Sequence, residues 1–428
     1  MSSWFRKRAT CRLCDSPQNE CVVPLGEVPI VTPNVDAKNA AAQFAGVQGQ
    51  TVPLGLYVCR NCGHLQLLDV VNPDVQYNNF NYVTSISLGL PEHFRKLAAE
   101  LIESAGSKPG ALVLEVGSND GTLLVAFKER GMKVLGVDPA QKIAAAATAR
   151  GIPTLATFYT EKLARELREQ HGAAEIVIAN NTFANLDDLS DFAAAVRASL
   201  APTGVFVFET QYGVDVVEKT LIDTVYHEHL SYFMAAPLDR YFARHGLELV
   251  DLQRIWTKGG SIRGTVQLKG GARKRTPAVD TLIAEEKRAG YGGMDPYRRL
   301  AANIDSVKKD VARHIAAVKV RGGKIAGYGA SVGTVTLLRQ FQLGPVLDFI
   351  ADDKPLCEQI TGPDYRIPVL RSEAIYERKP DAIVILAYRY AEPIIAKHSR
   401  FLAQGGEFVI PLPAVSVRSG ASAASAGR

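Results

Sequence analysis

Short apolar runs that end on glycine-rich turns recur along the chain, and between them apolar positions return every three or four residues. Ala111 to Gly121, A-L-V-L-E-V-G-S-N-D-G, reads as a buried strand running into a tight turn, with Thr122 to Leu124 opening a helix. Pro91 to Ala105 before it has the spacing of an amphipathic helix, and Lys133–Asp138, Glu175–Ala179 and Gly204–Glu209 after it read as further strands. The design returns at Gly323 to Gly333, G-K-I-A-G-Y-G-A-S-V-G, with strands expected at Leu347–Asp353, Asp381–Leu386 and Glu407–Pro411. Between the two units lie a strand over Ile262–Lys269 with Gly264 inside it and two charged helices, Ala278–Gly290 and Met294–Ala317. Near the start, Val22–Gly26 and Val28–Ile30 suggest short strands and turns. No repeat of about 20–50 residues is visible.

This pattern predicts an α/β protein: a small N-terminal module over 1–76, a central Rossmann-like unit over 77–300, a second Rossmann-like unit over 301–418 and a disordered tail over 419–428. Composition changes this little. The 47% hydrophobic content is ordinary, and 49 basic against 44 acidic residues leave a diffuse +5 that favours small anions and does not call for nucleic acid. No apolar run approaches the roughly 18 residues of a membrane span, and Met1 to Thr10 carries basic residues without an apolar stretch behind them. A soluble, cytoplasmic protein is expected, with no membrane partner and a monomer as the default.

The six cysteines then matter as metal ligands before disulfides. Cys11 and Cys14, and Cys59 and Cys62, form two C-x-x-C units, each able to grip a tetrahedral ion from a turn. An all-thiolate set leaves no open position, so Zn2+ here would be structural; a redox dithiol is the alternative. Cys21 and Cys357 have no such partner and read as buried thiols.

At the first glycine turn, Gly117 and Gly121 let backbone approach a ligand, with Ser118, Asn119 and Leu123 alongside. Asp138, about 20 residues on, suits a ribose diol. The pattern is E-x-G-x-x-x-G, and Glu115 fits a ligand with positive charge and no pyrophosphate, such as S-adenosylmethionine. Asn180 and Asn181 sit at a strand end where contacts are made; Phe158 either packs on adenine or fills the core. The second glycine turn has the form of an anion site for pyrophosphate, and the acid-ended strand after it suits a ribose, a plain packing domain being the alternative. Tyr77 to Ser87, dense in aromatics and hydroxyls, reads as a connector or as a sugar-binding edge.

One stretch concentrates proton carriers: Asp223 to Phe233, D-T-V-Y-H-E-H-L-S-Y-F. If extended, it would put Tyr226 and Glu228 on one face and His227 and His229 on the other. A polar turn with hydrogen-bonded histidines, or a metal site, are the alternatives.

This stretch closely resembles the D-T-x-Y-H-E-H-x-S-Y motif of the zinc-containing, S-adenosylmethionine-dependent nucleotide-sugar C-methyltransferases. The paired C-x-x-C units, E-V-G-S-N-D-G-T, Gly259 to Arg263 and Gly327 to Ser331 resemble that family too, over nearly the whole chain. The resemblance implies a zinc module, a cofactor domain and a Rossmann-like domain around a thymidine- or guanosine-diphosphate-linked 4-keto-6-deoxy sugar, methylated at C3. It implies His229 as general base with Tyr226 and Glu228 beside the sugar. On the substrate side it implies Tyr82, Arg263, Tyr328, Gly329 and Ser331, and Ser85, His227 and Asp353 are expected beside them. Two positions depart from the family: Asn185 stands where the family often has His, and Ser331 to Thr334 lacks the family's Lys. Methyl transfer to oxygen or nitrogen, or a binding protein without catalysis, are the competing expectations.

Overall fold

The computed structural model describes residues 4–29, 51–77, 80, 82–87 and 89–420. Ile30 of the second short strand and 421–428 of the expected tail lie outside these.

The central sheet has seven strands in the order Leu247–Ile255, Ser261–Leu268, Leu200–Gln211, Ala174–Asn180, Leu112–Val116, Lys133–Val137 and Thr154–Leu155. All neighbours are parallel except around Ser261–Leu268, which runs antiparallel to both strands beside it. Side chains alternate as strand geometry requires. Val113, Ile176, Ile178, Val205 and Val207 meet the apolar stripe of the helix Leu90–Ala105 on one face. Leu114, Val177, Phe206 and Phe208 join the larger core on the other. Helices cover both faces, which is why these strands read as continuous apolar runs. Gly264 follows from packing: a Cβ there would sit 2.2 Å from the Phe208 ring across the ladder.

The C-terminal sheet runs in the order Gln359–Thr361, Arg366–Arg371, Ile350–Asp352, Ile325–Tyr328, Ala382–Ile385, Glu407–Ile410 and Ser416–Ser419, with antiparallel strands at the two edges. Ser419 pairs with Glu407, so this position of the expected tail belongs to the sheet. The helix Asp295–Val320 buries Leu300, Ile304, Val307, Val311, Ile315 and Val318 along one side. It runs unbroken through residue 300, where the sequence suggested a domain boundary.

The N-terminal module is a four-stranded sheet in the order Ser231–Tyr232, Leu65–Gln66, Thr51–Cys59 and Asn19–Pro29. Its first strand comes from the Asp223–Phe233 stretch, so that stretch is shared between the module and the central unit. Among the described residues no helix is long and apolar enough to cross a membrane.

Candidate active site

The loops after Leu112–Val116 and Ala174–Asn180, the Asp223–His229 stretch and the C-terminal glycine turn enclose one cavity of about 500 Å³. At one end are Glu115, Gly117, Ser118, Asn119, Leu123, Asp138, Phe158, Asn180 and Asn181. Gly121 stands behind the wall, at φ 75° and pressed on Ile152. Several lining groups are buried with no protein partner: Glu115 Oε2, Ser118 Oγ and both amide atoms of Asn180. Unpaired buried polar atoms are costly, so this wall is built for a polar ligand. Burial, with Asp138 and Asp120 nearby, holds the Glu115 carboxyl well above the usual carboxylate range, and a bound cation relieves that cost. Asp138 accepts from Asn119 N at 2.8 Å and Ala140 N at 2.9 Å, fixing it at the end of its strand. The residues fit S-adenosylmethionine: a carboxylate for its positive charges, an acid for its ribose and Phe158 for its ring. Asn119 has a second task. Its Oδ1 accepts from Thr84 N and its Nδ2 donates to Tyr82 O, tying the aromatic connector across the cavity.

Gly117 has φ 70°, and a Cβ there would lie 2.0 Å from Thr182 Oγ1. Gly117→Ala is expected to weaken S-adenosylhomocysteine binding at least about tenfold by calorimetry, since the left-handed backbone alone disfavours an L residue by roughly 1–2 kcal/mol. Gly270→Ala, with φ 79° but open space around it, should leave that affinity unchanged.

At the other end Asp223 and Thr224 close a short 3-10 helix and Tyr226–His229 is a turn, not a strand: His229 N donates to Tyr226 O at 2.9 Å. The two-face alternation therefore fails, and Tyr226, Glu228 and His229 all line the cavity. His227 points away, its Nε2 3.2 Å from Pro53 O in the zinc module. His229 Nδ1 lies 2.8 Å from Thr224 O, so the proton sits on Nδ1. Nε2 is left as acceptor, approached by the Tyr226 hydroxyl at 2.9 Å and Gln211 Nε2 at 3.1 Å. Burial, then Lys258, pulls the His229 pKa down to about 3, so the ring is neutral. Burial pushes Glu228 up to about 7 against the pull of Lys258, and its Oε1 has no partner.

Tyr82 and Ser331 also line the cavity; Ser85 does not, its backbone N instead donating to Asp120, while Thr84 and Ser87 take the lining positions. Arg263 is spent on Glu209 at 2.7 Å and Glu100 at 2.9 Å, outside the cavity. Tyr328 donates to Asp353 at 2.7 Å, and Asp353 is ion-paired with Lys397 on the surface. Gly329 serves close packing, since a Cβ would meet that of Ala387 at 2.5 Å. In the expected pyrophosphate turn Ser331, Val332 and Gly333 line the cavity, and its other side packs on the chain: a Cβ on Gly333 would lie 1.9 Å from Asp223 O, and Thr336 Oγ1 donates to Val225 O at 2.7 Å. Cys21 is exposed and Cys357 half-buried, rather than both buried.

Sequence reasoning passed over Gln211, Lys258, Trp256, Arg389 and Tyr390, all of which line the cavity. Arg389 pairs with Asp223 at 2.8 Å. Arg389 and Tyr390 follow the strand Ala382–Ile385, beside which the strand order reverses, a position where α/β sheets bind ligands; that was the available signal. Asn185, the departure from the family, also faces the cavity, with its Oδ1 unpartnered.

Behind the Tyr226–His229 turn, the sulfurs of Cys11, Cys14, Cys59 and Cys62 all lie within 4.8 Å of one another. The Cys11–Cys62 and Cys14–Cys59 separations are 3.6 and 3.5 Å, near the edge of about 3.8 Å that tetrahedral Zn–S bonds of about 2.3 Å imply. Gly63 N donates to Cys59 O and Cys59 N to His64 O, closing the knuckle. With four thiolates this zinc centre is structural.

The C-methyltransferase NovU of Streptomyces niveus is 34% identical to this chain over 414 residues, covering 96% of this chain and 97% of NovU. Residues 11–77 match a family described as a zinc binding domain, 91–252 a methyltransferase domain and 256–413 the C-methyltransferase C-terminal domain. Among solved structures, magnesium protoporphyrin IX methyltransferase from Synechocystis PCC 6803 with bound SAH overlaps 43% of this chain and 84% of its own, at 16% identity and TM-score 0.33. The PH0226 protein of Pyrococcus horikoshii OT3 overlaps 44% of this chain and 95% of its own, at 15% identity and TM-score 0.36. With a cofactor cradle, a thiolate zinc centre and a match to NovU over 96% of its length, the chain belongs to the S-adenosylmethionine-dependent C-methyltransferase family.

Proposed function

We propose that the protein methylates C3 of a nucleotide-linked 4-keto-6-deoxy sugar, in the making of a branched-chain deoxysugar. The observation that carries this reading is the neutral His229, locked through Nδ1 to Thr224 O with Nε2 turned into the cavity that contains the cofactor cradle. Carbon methylation needs a carbanion, and a C–H beside a ketone is where a neutral imidazole can make one. S-adenosylmethionine, when bound, supplies an electrophilic methyl group.

In this reading the sugar displaces the Tyr226 hydroxyl from Nε2. Nε2 then takes the C3 proton; the C–H pair forms the C3=C4 bond and the carbonyl π pair moves to oxygen. The enolate carbon would take the methyl group that S-adenosylmethionine, held by Glu115, Asp138 and Asn180, would supply, with the S–CH3 pair left on sulfur. The carbonyl re-forms, and the proton on Nε2 leaves to solvent. Tyr226, released from His229, donates to the ketone oxygen; Tyr82 and Glu228 contact sugar hydroxyls. Trp256 and Tyr390, 70% and 53% exposed and both lining the cavity, suit a nucleobase. Holding two reactants in one enclosed site contributes several kcal/mol of barrier reduction.

The test uses methyl-13C cofactor with thymidine- and guanosine-diphosphate-linked 4-keto-6-deoxyhexoses. A product methyl carbon coupled to a ring carbon in nuclear magnetic resonance is expected. A methyl on oxygen or nitrogen would favour the heteroatom reaction, and no turnover of either ketone would overturn the substrate class.

A further inference from the structure

We infer that Lys258 is a catalytic residue of this site, the ammonium that holds the negative charge on the ketone oxygen as the neighbouring C–H proton leaves. The inference rests on the 4-keto-sugar reading above. Two observations point to it: where the residue is held, and what the other groups of the cavity are already doing.

Lys258 lines the cavity with Tyr226, Glu228 and His229. It does so from an unusual backbone, φ 52° and ψ 26° in the short helical turn Thr257–Gly259. A residue with a Cβ adopts that region rarely and at a cost. The turn is fastened on several sides. Gly260 N and Ser261 Oγ both donate to Thr257 O, at 3.0 and 2.9 Å, and Lys219 Nζ donates to Gly259 O at 2.9 Å. Gly259 packs on Arg389 and Gly260 on Asp215, so closely that a Cβ on either would lie 3.0 or 2.5 Å from those side chains. A braced, left-handed lysine whose side chain enters a ligand cavity is an aimed group.

Enolate formation places a full negative charge on oxygen, and fixed positive charge inside a water-poor site is the strongest means of holding it. Among the described residues two cations line the cavity, Lys258 and Arg389. Arg389 is committed to Asp223 at 2.8 Å. Tyr226 is a neutral donor, and burial holds its phenol well above its usual range, so it brings a dipole and no charge. Lys258 is left. Enclosure and Arg389 pull its pKa down to about 8 while Glu228 pulls the other way, so it remains mainly cationic near neutrality.

The test compares the wild type with Lys258→Met and Lys258→Arg. Exchange of the C3 hydrogen of the two nucleotide-linked ketones into deuterated water is followed with S-adenosylhomocysteine bound, beside kcat, KM, cofactor affinity and melting temperature. For Lys258→Met, exchange and kcat are expected to fall together by about 10²–10³, the loss typical of a removed oxyanion donor, with cofactor affinity unchanged. Lys258→Arg should recover part of both. Wild-type exchange in Lys258→Met would overturn the assignment. So would a raised KM with kcat intact, which would make Lys258 a phosphate contact, or equal loss of cofactor affinity and melting temperature in both variants, which would make it a packing residue. If the wild type neither exchanges nor methylates either ketone, the substrate reading fails and the role of Lys258 with it; if the wild type turns over and Lys258→Met matches it, only the lysine falls.

Discussion

His229→Ala is expected to lower kcat by about 10³–10⁴, toward the upper end of what a positioned base contributes, while S-adenosylhomocysteine binds as before. The expectation follows from how the ring is held. Thr224 O fixes the tautomer from behind at 2.8 Å, so the lone pair can face only the cavity. The unpaired groups that suit the cofactor, Glu115 and Asn180 at the ends of their strands and Ser118 in the turn after the first, belong to the central sheet and do not depend on the imidazole. Burial works in the same direction. Because the His229 pKa is pulled down to about 3, the ring stays in its basic form as pH falls through 6.5, and the pH profile of kcat/KM should show no imidazole limb there. In the proposed reaction the imidazolium forms only as the enolate charge appears beside it, which raises its proton affinity at that step alone. His227→Ala is the control. Its side chain faces Pro53 O, so it should lose stability and little turnover. Parallel losses of kcat in the two variants, or a kcat within about tenfold of wild type for His229→Ala, would contradict the role, since a removed base is felt in the chemical step.

Much of this site could be read before folding, and the unread part has a common cause. Val113 and Leu114 announce a strand, and Gly117 announces the turn, because burial on both faces and a positive φ leave direct marks on residue choice. The cysteine pairs do the same through ligand spacing. What stayed hidden depends on which segments meet. Nothing local says that Gly333 is small because Asp223 O lies against it. Nothing local says that Arg263 is held by Glu209 and Glu100. The alternation expected across Tyr226–His229 failed for a related reason. The strand from this stretch starts only at Ser231, where a partner in the zinc module is available, and the residues before it close into a turn. Lys258 left the faintest mark, a lysine before two glycines, although the backbone there is among the least ordinary in the chain.

Cys59→Ser is expected to abolish zinc binding and, with it, most of the turnover, although zinc takes no part in the chemistry. The reason lies in what the second knuckle supports. Three residues beyond Cys62 the strand Leu65–Gln66 begins, and it pairs with Ser231–Tyr232, two residues past His229. Leu67 N donates to Leu230 O at 2.9 Å, and His64 Nε2 lies 3.2 Å from Ser231 Oγ. Arg12, between the first two cysteines, is buried, donates to Leu67 O and pairs with Asp187 at 3.0 Å. Structural zinc supplies on the order of 10 kcal/mol to the folding of small modules, more than these few contacts can replace. Without it the knuckle opens, the strand loses its register and the Tyr226–His229 turn loses its rear wall. The expected result is zinc falling from one ion per chain to none by elemental analysis, a lower melting temperature, and kcat reduced far more than cofactor affinity, because the cradle around Glu115 lies on the central sheet. Replacing zinc by cadmium, which keeps tetrahedral thiolate binding, should leave kcat nearly unchanged. A zinc-free variant that turns over like the wild type would mean that the module does not brace the catalytic turn, and a kcat that follows the identity of the metal would mean that the ion has a chemical role.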